Sequence, residues 1–225
     1  MKKIFQTTFL FAILISITSC FDVTEEVKMN ADGSGELRLN IDLSQSKANL
    51  AGYLNAGEIN GVEIPSKSEI KSELKKLKKA LSKIKGISKV KAKSDFDEFV
   101  FEVTADFENM KALNKAINAS VKTFNQTPFP LPRFKHFSFK ENKFSRLFNY
   151  TDERFTQAEF DGMMSVVRYL MESAKVVSIY RFDEPVKSVS NSKAKISPSK
   201  KAVMLEGNIS EFAIGKKTLE NHISF

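Results

Sequence analysis

Among the 225 residues, the side chains able to do chemistry are few and scattered. There is one thiol, Cys20, and there are two imidazoles, His136 and His222. A single thiol forms no disulfide within its own chain, and neither histidine has a companion at metal-ligand spacing. The patterns HExxH, GxSxG and GxGxxG, which mark zinc hydrolases, serine esterases and dinucleotide-binding turns, do not occur. "GSG" at 33–35 precedes a strand pattern rather than a helix, so it reads as a turn and not as a phosphate cradle. Asp95, Asp97 and Glu98 fall together, but in a turn pattern where solvated carboxylates are ordinary. No catalytic residue, metal ligand or cofactor site is assigned, and the chain reads as a non-enzyme.

The feature out of balance is charge. "KSEIKSELKKLKKALSKIKGISKVKAK", residues 67–93, holds eleven Lys and two Glu, a local balance of 11 − 2 = +9, whereas the whole chain is +8. Lys75, Lys76, Lys78 and Lys79 cluster beside a Leu74–Leu77–Leu81 stripe. Such a patch could meet anionic lipid headgroups or acidic glycan, each Lys contributing about 1 kcal/mol within a Debye length of about 8 Å. The same residues also fit a plain solvated helix face. Lys outnumbers Arg 29 to 6, and sites that grip phosphate in a fork prefer Arg, so no nucleic-acid partner is expected.

The surroundings of Cys20 bear on location. Lys2 and Lys3 precede an apolar run, Phe9 to Ile15, and then small polar residues, the order of a secretory signal. The run is shorter than the roughly 20 residues that span a bilayer. Ile17-Thr18-Ser19-Cys20 resembles the lipobox of bacterial lipoproteins. That resemblance implies a signal peptide over 1–19, a diacylglycerol thioether on Cys20 and an acylated new amino terminus. The chain from Cys20 onward would have 225 − 19 = 206 residues and a net charge of 33 − 27 = +6. Two or more acyl chains anchor stably where one does not. A place in the bacterial cell envelope follows, at the outer membrane or cell surface, with the periplasmic side as the other placement. Asp22, Glu25 and Glu26 look like the acidic signals that send some Bacteroidota lipoproteins to the surface.

The elements that must carry these groups can be read from periodicity. Residues 23–31 read as a strand with Val27, Met29 and Ala31 on one face, about four residues from Cys20. "DGSG" at 32–35 turns the chain. Leu37, Leu39, Ile41 and Leu43 then alternate with polar residues as the second strand. A short helix is expected over 46–55. A long one, capped by Ser66 or Ser68, runs to about Lys85 with Ile70, Leu74, Leu77, Leu81 and Ile84 inward and Gly86 closing it. A strand over 87–93 turns Ile87 or Val90 inward. Phe99, Phe101, Val103, Ala105 and Phe107 share a face of the next strand, and Met110, Leu113, Ile117, Val121 and Phe124 mark a helix. After "TPFPLP" come a hairpin around Glu141–Lys143, a helix over 156–173 rich in Met163, Met164 and Met171, and strands at 176–183, 193–197, 201–208 and 218–225. Hairpins alternating with helices favour an α+β fold, mainly an antiparallel sheet with helices packed on one face. Residues 20–225 read as one domain, with a possible subdivision near 127–132.

Two segments carry a family resemblance. "VTEEVKMNADGSGELRLNIDLS", close behind Cys20, and "RFDEPVKSVSNSKAKISPSKKAVMLEG" near the end resemble bacterial envelope lipoproteins of the LppM-like kind and their Bacteroidota relatives. The resemblance implies an α+β envelope domain and carries over no catalytic residue. The functional expectation is a lipid-anchored binding or scaffolding protein, meeting anionic lipid or glycan through the Lys-rich helix. The alternative is a carrier of an apolar ligand in a Phe- and Met-lined cavity.

Overall fold

A computed structural model describes residues 21–47, 65–124, 134–147, 157–163 and 171–225, with Arg168 and a few positions between 50 and 63. Cys20, the signal segment, residues 127–132 and Met164 lie outside the described residues. The first strand, β1 (Phe21–Met29), is joined to β2 (Gly35–Asp42) by the expected turn, in which Gly33 holds φ +83°. Its ends are pinned by Asp32, whose carboxylate accepts from the Ser34 N–H at 2.9 Å.

Two strands of two residues, β3 (Glu58–Ile59) and β4 (Val62–Glu63), pair with each other in the following segment. Helix α1 (Lys67–Leu81) begins at a reciprocal capping box. The Ser66 hydroxyl accepts from the Glu69 N–H at 3.3 Å, and the Glu69 carboxylate accepts from the Ser66 N–H at 2.7 Å. Leu77 and Leu81 are fully buried, with Leu74 and Ile84 packed beside them. The helix stops at Leu81, and the chain reverses over the next turn to Gly86, at φ +87°. A Cβ there would lie 3.0 Å from that of Ala112, so helix, turn and following strand close up only around glycine.

Strand β5 (Ile87–Asp95) carries a bulge: its register against β6 (Val100–Phe107) shifts between Ser88 and Lys91, with Lys89 at φ +49°. An inserted residue reverses side-chain parity, so Ile87 and Val90 both turn toward the core. In β6, Phe101, Val103, Ala105 and Phe107 are buried in strict alternation. Helix α2 (Met110–Phe124) buries Ala112, Leu113, Ala116 and Ile117, whereas Val121, expected inside, is exposed.

After residues 125–133 the hairpin β7 (Phe137–Lys140) and β8 (Lys143–Arg146) turns at Glu141 and Asn142. The helix expected over 156–173 is interrupted: α3 spans Gln157–Asp161, and Gly162 and Met163 are non-helical. Glycine disfavours a helix interior by about 1 kcal/mol. Then follow β9 (Ala174–Phe182), β10 (Ser188–Val189), β11 (Lys195–Ile196), β12 (Ala202–Asn208), an additional helix α4 (Ile209–Ala213) and β13 (Asn221–Ser224). Helix α4 has its own signal in "NISE": the Glu211 carboxylate reaches back to accept from the Asn208 N–H at 2.8 Å, half of a capping box.

The architecture is α+β. A seven-stranded sheet has the order β11-β12-β9-β1-β2-β6-β5, antiparallel except for β1 beside β9. A second, antiparallel sheet, β10-β13-β8-β7, lies with α1 and α2 over its inner face. Val27, Leu37, Tyr180 and Val203 from the large sheet, Leu77 and Leu113 from the helices, and Phe137, Phe144 and Ile223 from the small sheet meet in one core. Residues on both sides of 127–132 contribute to it. The outer face of the large sheet is polar and charge-paired, with Arg38 to Glu102 at 3.6 Å, Lys89 to Asp106 at 2.7 Å and Arg181 on Glu26. A sheet packed on one side and solvated on the other gives the alternation seen in the sequence.

Replacing Leu77 by Ala should cost about 2–5 kcal/mol of stability through the cavity it leaves, and Ser66→Ala about 0.5–2 kcal/mol through the lost cap. Urea unfolding followed by circular dichroism measures both. An equal, small effect of the two would contradict the packing of α1 described here.

Candidate functional site

The lysines singled out in the sequence sit on α1. With Leu77 and Leu81 inward, Lys75, Lys76, Lys78 and Lys79 are all exposed. Lys76 faces α2 and pairs with Glu73 at 2.6 Å, beside an open groove lined by Ala80, Ala119, Lys122 and Thr123. Among the described residues, Lys75, Lys78 and Lys79 make no ion pair. Lys71, one turn before Lys75, lies with Lys67 over the Phe96 ring, at 5.2 and 5.7 Å. Lys71, Lys75 and Lys79 follow at i, i+4 spacing, and Lys78 stands beside them. Like charges so placed each oppose the helix by about 0.2–0.5 kcal/mol. The lysines of β5 differ: Lys89 and Lys93 lie on the other side of the sheet, against Asp106 and Glu102. Among the described residues, the basic stretch is thus divided between a sheet face, where Lys89 and Lys93 are paired, and a helix face, where Lys75, Lys78 and Lys79 are not.

The turn at Asp95, Asp97 and Glu98 is already satisfied. The Asp95 carboxylate accepts from the Asp97 and Glu98 N–H groups, both at 2.9 Å, which holds its pKa below the usual value. Glu98 pairs with Lys47 at 2.5 Å.

A second cluster was not anticipated. Glu25 shares the inner face of β1 with Val27 and Met29, so it is buried. Its partner Arg146, at the end of β8, is fully buried, with Nη2 3.4 Å from the Glu25 carboxylate. The guanidinium lies 4.7 Å above the Phe137 ring, and its Nη1 donates to His136 Nδ1 at 3.3 Å. The Tyr180 hydroxyl donates to the other Glu25 oxygen at 3.4 Å. A carboxylate from the central strand of one sheet is thereby matched to a guanidinium of the other sheet. His136 accepts from a cation, so its ring is neutral. Burial, and then the adjacent Arg146, push its pKa down to about 4. The parity of Glu25 with Val27 and Met29 was the available signal, because a carboxylate on an apolar strand face needs a buried partner.

His222 lies elsewhere, on the other face of the small sheet, with Nδ1 2.9 Å from Ser145 Oγ directly across the strands. This pair fixes the β13–β8 register. The space between the sheets is filled by rings: Phe137, Phe144, Tyr180, Phe182 and Phe225 make centroid contacts of 4.5–6.1 Å. Beside Phe139, Phe182 and Phe225 is a niche of about 20 Å³, the size of one water. Among the described residues no helix is long and apolar enough to cross a membrane.

Helix α2 contributes one further arrangement. The Asn114 side-chain amide donates to the Phe137 carbonyl at 2.9 Å and accepts from the Phe137 N–H at 2.9 Å. Asn118 likewise donates to the Phe134 carbonyl and accepts from its N–H. Two asparagines one turn apart therefore occupy the free edge of β7 and the residues leading into it.

No protein-family model matches the chain, and no curated protein does. Among solved structures, the folded domain of the Mycobacterium tuberculosis LppM protein, determined by NMR, is similar at 10% identity. The match covers 92% of this chain and 90% of that one, with a TM-score of 0.40.

Arg146→Met should destabilise by about 3–5 kcal/mol, because it leaves the Glu25 carboxylate buried without its cation. The double variant Glu25→Leu/Arg146→Met should recover much of that loss; additive penalties in urea unfolding would contradict a coupled pair. A pH dependence also follows from His136. The unfolded chain binds a proton below its ordinary pKa of 6.5, the folded protein only below about 4. Between these values the unfolded state holds more protons, so His136 contributes stability above about pH 6.5 that is lost as pH falls toward 4. The loss is on the order of 3 kcal/mol, and His136→Asn should flatten the stability profile in that window.

Proposed function

We propose that this protein is a lipid-anchored component of the bacterial cell envelope that binds rather than catalyses, with the lysine face of α1 as its contact for anionic headgroups or glycan. The observation that carries the reading is the uncompensated charge of Lys75, Lys78 and Lys79. A helix could bury the same leucines with neutral or alternating residues outside, yet this one accepts repulsion between neighbouring cations. A polyanion relieves that repulsion. The lipobox-like Ile17–Cys20 supports the anchor, and the charge-paired outer face of the large sheet supports an envelope body that meets its partner by one face only.

Two measurements test it. Intact-mass analysis of protein extracted from its native membrane should show Cys20 at the amino terminus with acyl chains attached; Met1 in place, or Cys20→Ser remaining in the membrane after a salt wash, would contradict the anchor. In addition, the detergent-extracted protein should bind an immobilised anionic matrix in low salt and release in high salt. Reversal of Lys75, Lys78 and Lys79 to Glu should abolish that retention, and unchanged elution would refute the patch.

A further inference from the structure

The position of Cys20 relative to the sheet restricts what the lysine face can touch, given the anchor proposed above. Strand β1 begins at Phe21, which already pairs with Ala174, and Asp22 pairs with Asp42. The strand expected from residue 23 begins two residues earlier, so no spacer separates it from Cys20. One residue spans only about 3.3 Å, so the acyl-bearing residue adjoins the fourth of seven strands, and this end of the sheet stands at the bilayer.

Register identifies what else is at that end. Asp22 pairs with Asp42, Asp42 with Val100, and Val100 with Asp95. The 95–98 turn is therefore at the bilayer end, and Lys67 and Lys71, stacked on Phe96, place the start of α1 there. The helix then runs away, because Leu81 leads through Gly86 into Ile87, which pairs with Phe107 at the opposite end. At 1.5 Å per residue, Lys75 stands about 12 Å and Lys79 about 18 Å beyond Lys67. Both distances exceed a Debye length of about 8 Å. The bilayer end itself mixes Asp22, Asp42, Asp95, Asp97 and Glu98 with Lys47, Lys67, Lys71 and Lys175, so it presents no excess of positive charge to an anionic leaflet.

Rolling the body onto α1 does not help. The helix layer stands about 10 Å from the sheet, and its outer half adds about 5 Å. Laying the lysines on the headgroups would lift Cys20 by that distance from the leaflet that holds its acyl chains.

We propose that the lysine face of α1 binds an acidic polysaccharide passing along the side of the domain, and not the leaflet that anchors it. Lys75 and Lys79 stand about 6 Å apart along the helix axis, Lys78 widens the row, and Lys71 leads into it from the bilayer end. A line of point charges on flexible stems reads repeated charge density rather than the fixed geometry of a single headgroup. The line is exposed over its length and turned sideways to the membrane normal.

The test uses the acylated full-length protein in vesicles, with polygalacturonate as the acidic polysaccharide and dextran as the neutral one. Polygalacturonate should bind equally well to protein on anionic and on neutral vesicles, and dextran should not bind. The Lys75→Glu/Lys78→Glu/Lys79→Glu variant should lose affinity on the order of tenfold or more. Binding to neutral vesicles that disappears on anionic ones would overturn the proposal, because the leaflet would then own the lysines. So would unaltered binding by the triple variant. Fluorophores at Lys79→Cys and Gln45→Cys decide orientation independently: headgroup quenchers should reach Gln45→Cys, beside the end of β2, and spare Lys79→Cys. The reverse pattern refutes the sideways placement while leaving the anchor intact; protein that fails to stay with vesicles refutes the anchor itself.

Discussion

The pairing of β1 with β9 holds the structure together. These strands lie about 150 residues apart in sequence and run parallel in perfect register from Phe21–Ala174 to Met29–Phe182. A parallel pair needs a long crossover, and here the crossover includes the α1–β5–β6–α2 unit and the β7–β8 hairpin. On one side of β1 stand β2, β6 and β5; on the other, β9, β12 and β11. Without this one junction the large sheet would separate into two halves, each with an open edge. With it, the inner face is continuous and the second sheet has a floor to pack on.

That floor contains a charge at its centre. The Glu25–Arg146 pair contributes less net stability than its Coulomb energy suggests, since both ions give up hydration. Its effect is on specificity. Apolar side chains from two sheets can slide past one another at modest cost, but a guanidinium enclosed by Phe137, His136 and a carboxylate has few alternatives within the core. The neutral state of His136 belongs to the same arrangement, because a second cation beside Arg146 would be opposed by charge as well as by burial.

Local structure was largely legible in the sequence. Alternation in 100–107 gave β6, the Leu74–Leu77–Leu81 stripe gave the buried face of α1, and Asp32–Gly33 gave the first turn. Three things were not legible for physical reasons. Parallel pairing leaves no turn signature, so β9 read as a terminal strand rather than as the neighbour of β1. The bulge at Lys89 changed parity in mid-strand, which is why Ile87 and Val90 looked like alternatives. The lysines of 67–93 read as one patch, because one-dimensional charge counts do not distinguish a helix face from the opposite side of a sheet. Of the candidate contact, Lys75, Lys78 and Lys79 are exposed and have no ion pair among the described residues, whereas Lys76 is matched to Glu73. The Glu25 cluster was readable in half: parity placed the carboxylate inside, but its cation lies 121 residues away.

Asn114 and Asn118 have a consequence for how copies of this domain meet. An unprotected strand edge is a template for edge-to-edge growth. By offering a donor and an acceptor in the geometry of a neighbouring backbone, Asn114 occupies Phe137 at the start of the β7 edge, and Asn118 does the same for Phe134 ahead of it. A second copy that approaches β7 finds the Phe137 groups already taken, so an encounter there need not seed strand-to-strand growth.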